Sequence, residues 1–254
     1  MSGNVAIITG SGSGIGAASA VLLARHGWNI VINYSSRVDN AKAVAKACED
    51  AGGQALLCKA NVADDADCRR MAAEAMVKWG RIDALVNNAG ATKFVPHADL
   101  EGLSDNDFLR IYRINVVAAF QMTRACAAAL KEARGAVVNV SSLAAFLGTG
   151  SSIAYAASKG ALNTLTLSLA RVLGPEIRVN AVQPGVVDTP WMREGLGAER
   201  YARMHERFAG NAPLKAVCTP EDIAATICWL LEGGAMITGE TIFVDAGFHL
   251  ATPR

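Results

Sequence analysis

The sequence predicts a doubly wound α/β fold, one sheet of seven parallel strands with helices on both faces, in a single domain. Three observations carry this reading. Short apolar runs alternate with longer amphipathic stretches along the 254 residues. The runs, such as AIIT, IVI, ALV and AVVNV, are continuously apolar, as a strand buried on both faces requires. The first of them breaks into a glycine turn, VAIITGSGSGIG, and then into a helical stretch.

The elements follow in order. Strands are expected at 5–9, 29–34, 54–60, 82–87, 135–141, 177–182 and 241–244, with helices near 15–26, 39–51, 64–79, 106–132, 153–173 and 220–231 between them. Helix 106–132 opens on Ser104-Asp105-Asn106-Asp107. Helix 220–231 opens on Thr219-Pro220-Glu221-Asp222, an N-cap threonine with proline at the first helical position and an acid at the third. Asp39 is expected to cap helix 39–51. One segment breaks the rhythm: 184–213 is polar, charged and without a strand. It follows the carboxyl end of a strand, where open α/β sheets bind ligands, and 186–212 is expected to form a lid over the site.

Composition narrows the function classes. A formal net charge of +1 leaves no electrostatic footprint for nucleic acid or an anionic membrane. There is no apolar run long enough to span a bilayer, and MSGNVAIITG enters a strand with no basic leader or cleavage signal. Six cysteines without a C-x-x-C pair read as reduced, buried thiols, and the expected location is cytoplasmic. Four scattered histidines supply no metal-ligand cluster.

The glycine turn admits two registers. A G-x-G-x-x-G/A spacing falls on Gly12, Gly14 and Ala17, and a G-x-x-x-G-x-G spacing on Gly10, Gly14 and Gly16. Downstream, Tyr155 and Lys159 in YAASK stand one helical turn apart and share a face. A phenol with an ordinary pKa near 10 is a poor base at neutral pH, and an adjacent ammonium favours its ionised form. Ser142 ends the strand AVVNVSS, where a hydroxyl can polarise a carbonyl or merely close a turn.

With these residues in place the sequence resembles the short-chain dehydrogenase/reductase family over nearly its whole length, and in particular its 3-oxoacyl-ACP reductase-like members. The motifs match in order: T-G-x-x-x-G-x-G at Thr9–Gly16, N-N-A-G at Asn87–Gly90, Asn115 in the long helix, Ser142, Y-x-x-x-K at Tyr155 and Lys159, and P-G-x-x-x-T from Pro184 to Thr189. The resemblance implies a Rossmann-type NAD(P)-binding domain over 1–254. It selects the register Gly10, Gly14 and Gly16, with Gly12 a spacer. It implies Tyr155 as the acid in reduction and the base in oxidation, with Lys159 on the nicotinamide ribose and lowering the tyrosine pKa. Ser142 would bond the substrate oxygen, and Asn115 would keep a water in a proton relay from Lys159. Ser13 and Ile15 would join the glycines around the pyrophosphate. Asn61 and Val62 would flank the adenine, and Asn87, Asn88, Ala89 and Gly90 the adenosine-to-ribose stretch. Pro184, Gly185, Val187 and Thr189 would hold the carboxamide end. The family further implies a homotetramer packed through helices 106–132 and 153–173.

The end of the second strand bears on the cofactor. NAD sites commonly place an acid there for the ribose 2′-hydroxyl. Here Asn33-Tyr34 stands instead, followed by Ser35, Ser36 and Arg37, groups suited to phosphate oxygens. The reading favours NADP(H) over NAD(H), although Ser13 stands where many NADP enzymes of the family carry Arg or Lys. Asn61 stands where Asp is common and keeps its hydrogen-bonding capacity. The substrate is expected to be a small-molecule carbonyl or alcohol, in a mostly apolar pocket of Phe94, Phe146, Leu147, Trp191, Met192, Leu196 and Met204. His97 would either touch a polar substrate group or be solvated. Arg193, Arg200, Arg203 and Arg207 form either a solvated helix face or a patch for an acidic carrier. Three functions stay open: an NADPH-dependent reductase of 3-oxoacyl-thioester-like or other small apolar ketones, an alcohol, sugar or steroid dehydrogenase, and a catalytically silent NADP-binding sensor.

Overall fold

The computed structural model describes residues 3–251. Its strands are β1 (Val5–Ile8), β2 (Asn29–Tyr34), β3 (Ala55–Lys59), β4 (Ala84–Asn87), β5 (Ala136–Val140), β6 (Arg178–Pro184) and β7 (Thr241–Val244). Its helices are α1 (Gly14–Arg25), α2 (Val38–Asp50), α3 (Asp65–Trp79), α4 (Asp105–Tyr112), α5 (Ala118–Ala133), α6 (Ala144–Leu147), α7 (Ile153–Leu173), α8 (Pro190–Leu196), α9 (Ala198–Asn211) and α10 (Pro220–Glu232). The seven strands pair in the order β3-β2-β1-β4-β5-β6-β7, and every neighbouring pair is parallel. This is the expected Rossmann-type doubly wound sheet.

The period-two alternation of strand side chains explains why the runs are continuously apolar. Ala6, Ile8, Ile30, Ile32, Ala84 and Val86 point into the layer formed with α1, α2 and α10. Ile7, Val31, Leu85, Val137 and Val179 point into the opposite layer, formed with α3, α5 and α7. All eleven are fully buried. Cutting one such isoleucine or leucine back to alanine costs about 2–5 kcal/mol, so no strand position can turn polar cheaply.

The chain winds outward from β1 to β3 and then crosses back to place β4 on the other side of β1. The loops leaving the carboxyl ends of β1 and β4 therefore diverge, and a crevice opens between them. That crevice holds the candidate site.

Two expected caps have the anticipated chemistry. Ser104 and Asp107 form a reciprocal capping box on α4, and Thr219 and Asp222 form one on α10 behind Pro220. Asp39 does not cap α2: Arg37 holds that position without a side-chain bond, and Asp39 lies in the first turn, near the positive helix end. The stretch 106–132 is also not one α-helix. Between α4 and α5 lies a π-helical turn, Arg113–Val117, where the Ala118 N–H reaches back five residues to the Arg113 carbonyl. Such wide turns are rare and gather at functional sites. The segment 186–212, expected as a lid in a polar stretch without a strand, folds into α8 and α9.

Candidate active site

The glycine turn has a definite register. Gly10 and Gly14 sit at φ 62° and 55°, a region that penalises any side chain. A Cβ on Gly16 would lie 2.5 Å from Asn88 Nδ2 and 2.9 Å from the Gly10 carbonyl oxygen. Gly12 has an ordinary φ, and its Cβ would meet nothing closer than the Ala41 nitrogen at 3.7 Å. The glycines at 10, 14 and 16 therefore answer to geometry, and the one at 12 does not.

Side chains from neighbouring strands hold this turn in place. Asn33 Oδ1 accepts from the Gly10 N–H at 2.9 Å, and its Nδ2 donates to the Ala60 carbonyl at 3.1 Å, tying the turn to the end of β3. Thr9 Oγ1 accepts from the backbone N–H groups of Asn88 and Ala89 at 2.9 and 3.0 Å. Asn88 Nδ2 returns bonds to the carbonyls of Thr9 and Gly10 at 2.9 and 3.0 Å. Ser13, the N-cap of α1, makes no side-chain cap bond, so the first-turn N–H groups and the positive helix end are left to an anion. Sequence reasoning saw Asn33 only as a missing acid. The signal for its scaffold role was a polar residue inside the apolar run IVINY.

The opposite wall carries the candidate catalytic groups. Ser152 caps α7 by accepting from the Tyr155 N–H, which sets Tyr155 in the first turn and Lys159 one turn on. Lys159 is buried, and its Nζ donates to the Val140 carbonyl at 2.7 Å and stands 5.6 Å from the Tyr155 ring centre. Burial lowers the Lys159 pKa to about 8. Burial also raises the Tyr155 phenol above its usual value, opposed by a hydrogen bond with Ser142. The partner that opposes the rise in this structure is the serine. Ser142 Oγ also accepts from the Ala144 N–H at 3.1 Å.

Asn115 sits in the π-helical turn and is buried. Its Oδ1 accepts from the Ala91 N–H at 2.7 Å, and its Nδ2 donates to the Ala91 carbonyl at 3.0 Å and to Ser158 Oγ at 2.9 Å. Ser158 Oγ donates in turn to the Tyr155 carbonyl at 2.7 Å. The amide thus pins the segment after Gly90 to α7.

One cavity of about 1190 Å³ connects the two walls. Of the expected cofactor residues, Gly10, Ser13, Gly14, Ile15, Ser35, Asn61, Val62, Asn88, Ala89, Gly90, Pro184, Gly185, Val187 and Thr189 line it, together with Ser142, Tyr155 and Lys159. Thr189 caps α8, and its Cγ2 closes over Gly14, 3.3 Å from where a Cβ would stand. Five expected cofactor residues are off the wall, among them Asn87, which is buried and donates through Nδ2 to Asn139 Oδ1 at 2.9 Å. Gly16 acts through its packing on Asn88, Tyr34 packs against the core, Ser36 is exposed, and Arg37 reaches instead to Glu194 of α8. Asn61 Oδ1 accepts from the Ala63 N–H at 3.1 Å, a local turn bond.

The part of the cavity expected to take the substrate is lined by Phe94, Leu147, Trp191, Met192, Leu196 and Met204. Trp191 packs against both Phe94 and Tyr155, with ring centres 5.8 and 6.2 Å apart. Phe146 points elsewhere: it is exposed and meets Phe243 of β7 edge-on at 5.1 Å. His97 is likewise absent from the wall. Phe208 and Phe248 join it instead, through α9 and the 3₁₀ turn Phe248–Leu250 that only folding brings near. The lid arginines separate: Arg193 is held by Asp188 at 2.7 Å, Arg203 and Arg207 line the cavity, and Arg200 does not. Among the described residues no group of three or more His, Cys, Asp or Glu gathers around a common point, and no helix is long and apolar enough to cross a membrane.

A doubly wound parallel sheet with a large crevice at its topological switch point defines the dinucleotide-binding class of α/β proteins. Within that class the chain belongs to the short-chain dehydrogenase/reductase family of oxidoreductases. The family model described as enoyl-(acyl carrier protein) reductase matches residues 10–249. A protein named as ketoacyl reductase 2 of the granaticin polyketide synthase from Streptomyces violaceoruber is 39% identical over 247 residues, covering 97% of this chain and 96% of its own. A 3-oxoacyl-[acyl-carrier-protein] reductase from Synechocystis is 33% identical over 251 residues, covering 97% of each. A crystal structure of a short-chain dehydrogenase/reductase so described from Burkholderia xenovorans superposes with a TM-score of 0.91 at 45% identity, covering 99% of this chain and 100% of its own. Membership of this family implies a nicotinamide cofactor.

Proposed function

We propose that the chain is an NADPH-dependent carbonyl reductase acting on a ketone of the 3-oxoacyl-thioester kind or another small apolar carbonyl. The observation that carries this is the single cavity with the glycine turn on one wall and Ser142, Tyr155 and Lys159 on the other. The residues present fit a nicotinamide dinucleotide: the cradle at Gly16 has no room for a Cβ, and Gly10 and Gly14 need positive φ. When bound, the reduced nicotinamide supplies a hydride to the carbonyl carbon.

The chain's own residues do the rest. Burial keeps the Tyr155 phenol protonated at neutral pH, so it stands ready to donate to the carbonyl oxygen as negative charge develops there. The Ser142 hydroxyl, next to that phenol, holds the same oxygen and orients it. Lys159, anchored on Val140, would hold ribose hydroxyls and restore the proton. Both Nδ2 hydrogens of Asn115 are committed, to Ala91 and Ser158, so a relay water would have to be held by an Asn115 oxygen as acceptor. Phe94, Trp191 and Leu196 exclude water and accept an apolar substrate chain.

NADP(H) is favoured by the lack of a carboxylate at the end of β2, by Ser35 on the cavity wall and by Arg37 just beyond it. A homotetramer is supported by exposed Phe108, Leu109, Tyr112 and Phe120 on α4 and α5 and Leu167 and Val172 on α7. Six buried thiols accord with a reducing, cytoplasmic setting. The test is a panel of acyl-thioester ketones, cyclic ketones and sugars, each followed by NADPH and NADH absorbance. Fastest turnover on ketones with NADPH supports the proposal, and oxidation of alcohols or sugars alone overturns it.

A further inference from the structure

Arg37 is the cation that the NADP reading needs, and it is not idle. Its guanidinium faces Glu194 of α8 across 157 residues of sequence, with NH2 2.9 Å from Oε2 and NH1 3.5 Å from Oε1. Both side chains are more than half exposed, at 62% and 57%. A guanidinium fork takes a carboxylate and a phosphate in the same two-pronged way, so the two anions compete for one donor set. An exposed ion pair contributes little net stability and exchanges readily. The chain therefore lacks an acid at the end of β2 but receives one from α8, held beside the same segment.

We propose that Glu194 is a cofactor-discriminating residue, whose carboxylate occupies Arg37 and is displaced from it by the 2′-phosphate of NADP(H). This rests on the NADP(H) reading above and adds a cost that NAD(H) does not bear. It also links the two ends of the cavity. The other charged side chain of α8 that makes an ion pair, Arg193, turns back to Asp188 five residues away, so the Arg37 contact is the one that ties α8 to the β2 side. The same helix carries Trp191, which packs on Tyr155.

Binding of adenosine 2′,5′-bisphosphate and of adenosine 5′-monophosphate, measured by calorimetry on the full chain, tests the proposal without turnover. Glu194→Gln tightens the bisphosphate by roughly three- to tenfold, the weight of one charge-assisted contact, and leaves the monophosphate within about twofold. In an Arg37→Ala background the gain from Glu194→Gln disappears. An unchanged bisphosphate affinity, an equal gain for both ligands, or a gain that persists without Arg37 each overturns it. A wild-type chain that prefers NADH removes the NADP(H) reading while leaving this effect measurable. A chain that prefers NADPH and shows no effect of Glu194→Gln removes the inference alone.

Discussion

The Asn115 carboxamide grips both polar groups of one backbone unit, accepting from the Ala91 N–H at 2.7 Å and donating to the Ala91 carbonyl at 3.0 Å. This double bond pattern imitates a strand partner at the point where β4 has ended. It fixes the turn whose Gly90 lies between the Asn115 oxygen and the Lys159 ammonium, 3.5 and 3.9 Å from where a Cβ would stand. Asn115→Leu keeps the volume and leaves Ala91 unpaired, so it costs about 2–4 kcal/mol of stability in urea denaturation. A loss of less than about 0.5 kcal/mol would mean that the turn holds itself.

The glycine turn separates its members by mutation. Gly12→Ala is neutral or slightly stabilising, because its φ is ordinary and its Cβ has space. Gly14→Ala costs about 1–3 kcal/mol through its positive φ. Gly16→Ala costs more, since it drives a methyl into Asn88 and the Gly10 carbonyl, and it also weakens NADPH binding. Thermal unfolding with and without NADPH ranks the three, and a Gly12 variant as damaged as the Gly16 variant refutes the register.

Tyr155→Phe removes the hydroxyl proposed as proton donor and little else. Turnover falls by roughly 10²-fold or more, while NADPH binding by fluorescence titration stays close to wild type. Near-normal turnover would end the role assigned to the phenol.

Lys159 makes activity and stability move oppositely with pH. Its pKa falls from the ordinary 10.5 to about 8 in the folded chain. In the proposed mechanism reduction needs its ammonium, so kcat/KM with NADPH is expected to decline above about pH 8. Lys159→Arg, which cannot lose its charge in this range, moves that alkaline limb upward, and an unmoved limb assigns it to another group.

Between about pH 8 and 10.5 the unfolded chain holds the Lys159 proton and the folded chain does not, so stability rises with pH across that window. Below it the buried ammonium is a fixed cost. Lys159→Met therefore stabilises the fold at pH 7 by on the order of 2 kcal/mol, after the lost bond to Val140 is subtracted, and the gain fades toward pH 10.5. Equal effects at pH 7 and pH 10.5 would show that burial does not penalise the charge.

Much of this site was legible in the residues. Continuous apolar runs located the strands because both faces of the sheet are buried. Tyr155 and Lys159 were legible as a pair because one helical turn sets their relation, whereas the glycine register and Ser142 were legible only through the family's ordered motifs. The π-helical turn at Arg113–Val117 was not, since one extra residue per turn barely disturbs an apolar periodicity. Phe146 was misplaced because a four-residue helix, Ala144–Leu147, sets its direction toward Phe243.

The sequence by itself determined the order of the seven strands, and its ordered motifs carried the resemblance that implied the glycine register and an oxidoreductase. Those features depend on neighbours along the chain, whose geometry is set by helical and strand periods. Only the tertiary structure decided what Arg37 faces, what Asn33 and Asn115 hold, and which lid residues reach the cavity. Each of these joins segments far apart in sequence: Gly10 to Asn33, Ala91 to Asn115, Arg37 to Glu194. Such contacts arise from the winding of the sheet, which brings loops together without leaving a local pattern to read.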